Sequence, residues 1–279
     1  MVYTVPETAT EYVPIGIEPG RMGYFASRSA AMGPVGAAVV TATFYSFSPD
    51  LIGEVIPRAW TLASPEAIVA ARWRVADTAL RRMLGDRVDS PEVAQAAELI
   101  RRATEGLDVS GRPLFAAHTE LPWPAEPHLA LWLGTTLLRE YRGDGHIAAL
   151  TAAEVSGIDA LITHTATGRH FTPAASQAGR GWTDELWATA VDGLRSRGIL
   201  TSGPELALTP AGLQLRVDVE AETNRLAMRP WHQLGADDTE TLRRIATDLS
   251  WAIVDAGTFD PGSFTLPRTP QDIADRIDA

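Results

Sequence analysis

The sequence predicts a mainly α-helical chain made of two similar halves, with a single small β-hairpin in the second. Three observations predict it. Apolar residues recur at helical spacing through most of the 279 residues. One stretch, "ILTSGPELALTP", alternates as strand, turn, strand. The chain also aligns with itself: "GRMGYFASRSAAM" (20–32) lies over "RGDGHIAALTAAEV" (142–155), with Gly23 on Gly145, an offset of 122, and Tyr24 on His146. The same order continues with Val35 on Ile158, Val39 on Ile162 and Trp60 on Trp182, which reads as an internal duplication.

Taken in order, residues 1–19 form an N-terminal extension and residues 20–141 the first half. Within it, "VVTATFYSF" continues an apolar helix, "ARWRVADTALRR" is a helix rich in arginine, and "PEVAQAAELIRRATEG" follows where a hairpin would be needed to complete the plan. The first half is therefore degenerate. A linker at 111–127 holds Pro113, Pro122, Pro124 and Pro127, which predicts a stiff extended segment. Residues 129–141 have helical period. Gly143 then reads as a helix stop and Asp144 as the N-cap of a new helix carrying His146.

The second half, 142–257, is more legible. Val155, Ile158, Leu161 and Ile162 form a helical stripe. Thr183 is an N-cap followed by Asp184 and Glu185, which suit the first turn. The hairpin comes next, and Thr209 with Pro210 opens a long helix. Helix, helix, two-stranded wing and long helix make a winged helix, so the predicted architecture is two tandem winged-helix-like halves related by a pseudo-twofold, with one β-wing. Residues 258–279 are a C-terminal tail.

Two resemblances follow from these residues. "LRSRGILTSGPELALTPAG" resembles the wing segment of MarR-type regulators. The segments "VVTATFYSF", "GRPLFAAHTELPWP", "LLREYRGDGHIAAL", "RGW" and "LSWAIVDAG" resemble an actinobacterial helix-turn-helix family over about residues 20–267. The likeness implies a fold and lends no catalytic residues.

Composition narrows the function. Cysteine is absent, which excludes disulfides and thiolate chemistry. No His-x-x-x-His or His-Glu-x-x-His spacing appears, so neither a metal nor a cofactor is expected. The amino terminus lacks the basic start and apolar core of a secretory signal, and the expected location is the cytoplasm. All 24 basic residues are arginine, yet net charge is −11, which repels a polyanion unless arginines share one face. The expected recognition helix, "TDELWATAVDGLRSRG", opens with Asp184 and Glu185. The first half offers the better set, Arg72, Arg74, Arg81 and Arg82.

The expected function is therefore binding, with chemical transformation left open, of a small organic molecule in a pocket between the halves. An anionic or aromatic ligand of specialised metabolism is expected, with no membrane partner. The alternative is a MarR-like regulator that binds DNA and responds to a ligand. For catalysis the candidates are His146, Arg142 and His118, an acid–base and electrostatic set. Ligand-binding candidates are Tyr24, Tyr45, Trp123, Trp132, Arg139, Asp144 and His164. His146 is expected at a helix N-terminus, where an anion is favoured. His128, His170 and His232 read as exposed.

Overall fold

The computed structural model describes residues 3–168 and 172–257. They form a helical body and a smaller helical unit docked on it. Among the described residues no single helix is long and apolar enough to cross a membrane. The expected tail and His170 lie outside the described residues.

In the body, α1 (Glu7–Tyr12), α2 (Arg21–Ser29), α3 (Ala37–Phe44), α4 (Pro49–Gly53) and α5 (Arg58–Leu62) wrap α6 (Pro65–Leu84). Ser64 caps α6 by accepting from the Ala67 amide, and Pro65 occupies its first turn. Ile68, Ala71, Arg72, Val75, Ala76, Ala79 and Leu80 are all buried, so α6 is the central helix of the core. Next come α7 (Pro91–Thr104), capped by Ser90, α8 (Pro113–Thr119) and α9 (Pro127–Ala152). The extension at 3–12 belongs to this body, because Tyr3, Val5 and Tyr12 are buried.

The α9 helix corrects the expected stop at Gly143. It runs unbroken through Gly143, Asp144 and Gly145, so the expected boundary at 141/142 falls inside it and His146 is nowhere near a helix N-terminus. Each glycine costs a helix about 1 kcal/mol relative to alanine, but tertiary contacts outweigh that here. A Cβ on Gly145 would lie 2.9 Å from the Arg112 guanidinium and 3.2 Å from Leu226. Asp144 does cap a helix, though not its own: its carboxylate accepts the Phe115 amide at the start of α8, at 2.8 Å. With that cap, part of the proline-rich linker coils into α8 where a stiff extended segment was expected.

The smaller unit contains α10 (Gly157–Thr165), α11 (Pro173–Arg180), α12 (Asp184–Ser196) and α13 (Pro210–Ala227); α14 (Arg229–Leu234) and α15 (Ala236–Asp255) then return to the body. The predicted caps are present, Thr183 accepting from Leu186 and Thr209 from Gly212. Ile162, Val191, Leu194 and Leu200 form its small core.

The wing is reduced to one antiparallel bridge, Leu200–Leu208, and no sheet is present among the described residues. Arg195 donates to the carbonyls of Thr201 and Gly203, binding the hairpin arm to α12 from the side.

The expected repeat is not supported. Residues 20–32 fold as α2 and a 3-10 turn, whereas their counterpart 142–155 is the end of α9. Trp60 lies in α5 and Trp182 in a turn. Amphipathic helices share apolar spacing whatever their ancestry, and that spacing produced the alignment.

The seam between body and unit is closely packed at residues 45–51. Tyr45 donates to the Val155 carbonyl at 2.7 Å, and the Trp182 indole donates to the Ser46 carbonyl at 2.9 Å. The Ser48 amide donates to the Arg180 carbonyl at 2.9 Å. A Cβ on Gly157 would stand 1.9 Å from the Tyr45 carbonyl oxygen, so only glycine allows this approach.

Candidate functional site

A cavity of about 450 Å³ lies between α6, α7, α9, α15 and the N-terminal segment. One face of α9 forms its floor: His128, Leu131, Trp132, Thr135, Thr136 and Arg139, spaced i, i+3, i+4, i+7, i+8 and i+11. Leu80 and Leu84 of α6, Val93 of α7 and Leu249 and Ile253 of α15 supply an apolar wall. Tyr3, Thr4 and Tyr24 close the Arg139 end. A mostly apolar hollow with a few placed polar groups is the usual form of a small-molecule site.

Behind the Arg139 end stands a buried arginine cluster. Arg28 forms two hydrogen bonds with the Glu140 carboxylate, at 3.0 and 3.1 Å, and donates to the Tyr24 hydroxyl at 2.6 Å. Arg139 shares Glu140 at 3.1 Å. Among the described residues Arg72 has no carboxylate partner. It donates to the Tyr3 hydroxyl, the Ser27 carbonyl and His118 Nε2, at 3.1, 3.2 and 2.8 Å. The guanidiniums of Arg28, Arg72 and Arg139 all lie 5.5–5.6 Å from the Tyr3 ring centroid. Although burial opposes it, the fields of Arg72, Arg139 and Arg28 lower the Tyr3 phenol from its ordinary value. Burial would raise Glu140, but Arg28 and Arg139 hold it below the usual carboxylate range.

At the opposite end His128 corrects an expectation: it is buried. Its Nε2–H donates to Asp77 at 2.6 Å, and its buried Nδ1 has no hydrogen-bond partner among the described residues. The signal was present in the sequence, since His128 shares a helical face with Leu131, Trp132 and Thr135. Arg72 carried a comparable signal, four residues after Ile68 and three before Val75 on the apolar stripe of α6.

The structure brings three expected residues, Tyr24, Trp132 and Arg139, to the cavity wall. His118 lies behind it, fully buried. Its Nδ1–H donates to the Leu114 carbonyl at 2.7 Å, which leaves Nε2 to accept from Arg72. Burial, then Arg72, push it down to about 3, so the ring is neutral and serves as an acceptor for Arg72.

The remaining candidates stand elsewhere. His146 donates from Nδ1 to the Thr223 hydroxyl, 2.8 Å away, and burial followed by Arg142 and Arg216 lowers it to about 4. Arg142 pairs with Glu220. Tyr45 is in the seam, and Trp123 stacks under Arg101 at 4.6 Å. Burial raises Asp144, on the cap of α8, to about 6. His164 is half-buried on α10. The cavity therefore lies away from His146, where a pocket was expected.

The smaller unit has its own recognisable geometry. Gly181, at φ +71°, and Trp182 turn the chain between α11 and α12, and Thr183 caps α12: a helix-turn-helix. The exposed face of α12 carries Asp184, Glu185, Thr189 and Asp192. Its arginines are engaged, Arg195 with the hairpin and Asp192, Arg197 with Asp159 at 3.2 Å. The arginines expected to offer DNA contact from the first half are engaged too. Arg72 is buried, Arg74 pairs with Glu11, Arg81 with Asp77 and Arg82 with Glu7.

No curated protein and no solved structure matches the chain. A family model, described as a helix-turn-helix family, matches residues 1–260, and its extent covers both the body and the α11–α12 motif. On that match the chain belongs to this helix-turn-helix family.

Proposed function

We propose that the chain binds a small organic molecule in the α6–α9–α15 cavity, and that this binding, not DNA contact, is its activity. The observation that carries the reading is the cavity itself, about 450 Å³ with an apolar wall, an arginine cluster at one end and an unpartnered histidine nitrogen at the other. The acidic α12 face supports the second half of the reading, since carboxylates facing phosphates oppose binding. Binding is favoured over turnover because His118, His146 and Arg142, the expected acid–base set, each hold a separate structural bond.

A thermal-shift screen against organic acids and aromatic metabolites tests the proposal, with Ala246→Phe as the comparison. Ala246 lines the cavity and phenylalanine would fill it. The reading expects compounds that raise the melting temperature of the parent and leave the filled variant unmoved. Equal shifts in both proteins contradict it.

The helix-turn-helix geometry of α11–α12 favours a second reading, a MarR-like regulator that a ligand releases from DNA. Gel shifts at low salt with the DNA upstream of the protein's own coding sequence decide between them. A shift at micromolar protein that the ligand reverses would replace the first reading.

A further inference from the structure

We infer that the cavity selects an elongated amphipathic anion, with its acidic head beside Arg139 and a hydroxyl at its far end on His128. This rests on the cavity being the ligand site and adds the chemical class.

The head is assigned by charge. Arg28, Arg72 and Arg139 surround Tyr3, and Glu140 is the one carboxylate paired within that group; three positive charges less one negative leave an excess of two. Among the described residues the Nε–H groups of Arg28 and Arg72 are buried without partners, so the cluster is short of acceptors as well as of negative charge. Unmatched charge away from water is costly, and an anion arriving at the half-exposed Arg139 relieves it.

The far end is assigned by a different observation. His128 is a lining residue that donates from Nε2 to Asp77, and its Nδ1 is buried without a hydrogen-bond partner among the described residues. A ligand hydroxyl satisfies it. The Asp77 carboxylate behind the ring is already matched by Arg81, so this end has no excess positive charge to hold an anion, and the arginine excess at the other end sets the direction in which the ligand lies.

Length follows from the helix. His128 and Arg139 are eleven residues apart on α9, about 16 Å along its axis. An extended chain or a row of flat rings spans that distance. The walls are apolar, with Leu84 and Val93 on one side and Leu249 and Ile253 on the other, and Thr135, Thr136 and Ser250 add hydroxyls beside them.

Isothermal titration with 12-hydroxydodecanoate, dodecanoate and 1,12-dodecanediol tests the assignment on the parent protein, without relying on any variant to fold. The expected result is that the hydroxy acid binds ~tenfold more tightly than either relative, each of which lacks one anchor. Arg139→Gln should bring the hydroxy acid down to the affinity of the diol and leave the diol unchanged. His128→Phe, if folded, should erase the difference between the two acids. A diol as tight as the hydroxy acid overturns the anionic head while the cavity remains the binding site. Two acids of equal affinity overturn the His128 anchor. Should all three bind Ala246→Phe as they bind the parent, the site is elsewhere and both the inference and the proposed function fall.

Discussion

Two arginines of the body and two of the helix-turn-helix unit are matched in opposite ways. In the body Arg28 and Arg72 go inward, buried among Tyr3, Tyr24 and Trp132, with Glu140 on Arg28. On α12 Arg195 and Arg197 stay near the surface, with Arg197 on Asp159 and Arg195 on the hairpin carbonyls. The difference teaches where charge is informative. A guanidinium moved out of water must be matched, so its surroundings constrain function. A surface pair is worth about 0–1 kcal/mol and constrains little.

The largest expected effect breaks the comparison at the inner cluster. Glu140→Gln removes the one carboxylate that Arg28 and Arg139 share, and should destabilise the fold by about 3–5 kcal/mol in urea unfolding. Asp159→Asn, which breaks the Arg197 pair, should cost less than about 1 kcal/mol. Similar losses for the two would erase the distinction.

A second contrast concerns glycines. Gly134 sits where α9 crosses α7, and a Cβ there would lie 2.3 Å from an Ile100 methyl. Gly134→Ala should cost about 1–3 kcal/mol through overpacking. Gly179 in α11 has open space around it, and Gly179→Ala should be neutral or slightly stabilising in the same urea titration.

Acid provides a third probe. His118 and His146 have folded values of about 3 and about 4, below the ordinary 6.5, so the unfolded chain takes up protons first. Their contribution is complete above pH 6.5 and is lost as pH falls toward those values. Asp144 has the opposite sign. Its value of about 6 lies above the unfolded 3.8, so its buried charge costs stability as pH rises from about 4 to 6. The net expectation is a melting temperature that falls on acidification below about pH 6. Asp144→Asn should steepen that fall, and a flat profile from pH 7 to 4 would contradict it.

These contrasts also explain what the sequence could reveal. Thr183 and Thr209 act on amides three residues away, so the starts of α12 and α13 were legible in a short run of residues, whereas α11 and the turn at Gly181 were not read. Gly143–Asp144–Gly145 was misleading, because what keeps α9 whole comes from Arg112, Phe115 and Leu226, distant in sequence. Tyr24, Trp132 and Arg139 stood out as aromatic or charged residues near an expected interface, but the cavity they line is built from α6 and α15. His128 stood on a helical face with other lining residues, and its burial comes from packing against distant helices.

The smallest expected effect lies on the helix-turn-helix surface. Arg197→Ala should change stability by less than about 1 kcal/mol and leave ligand affinity untouched, because nothing in the cavity depends on α12.

The most direct test of the central claim is a crystal structure with 12-hydroxydodecanoate. Density running along α9, from the Arg139 guanidinium to His128 Nδ1, is the predicted result. An empty cavity at saturating ligand, or density confined to the seam near His146, would contradict it.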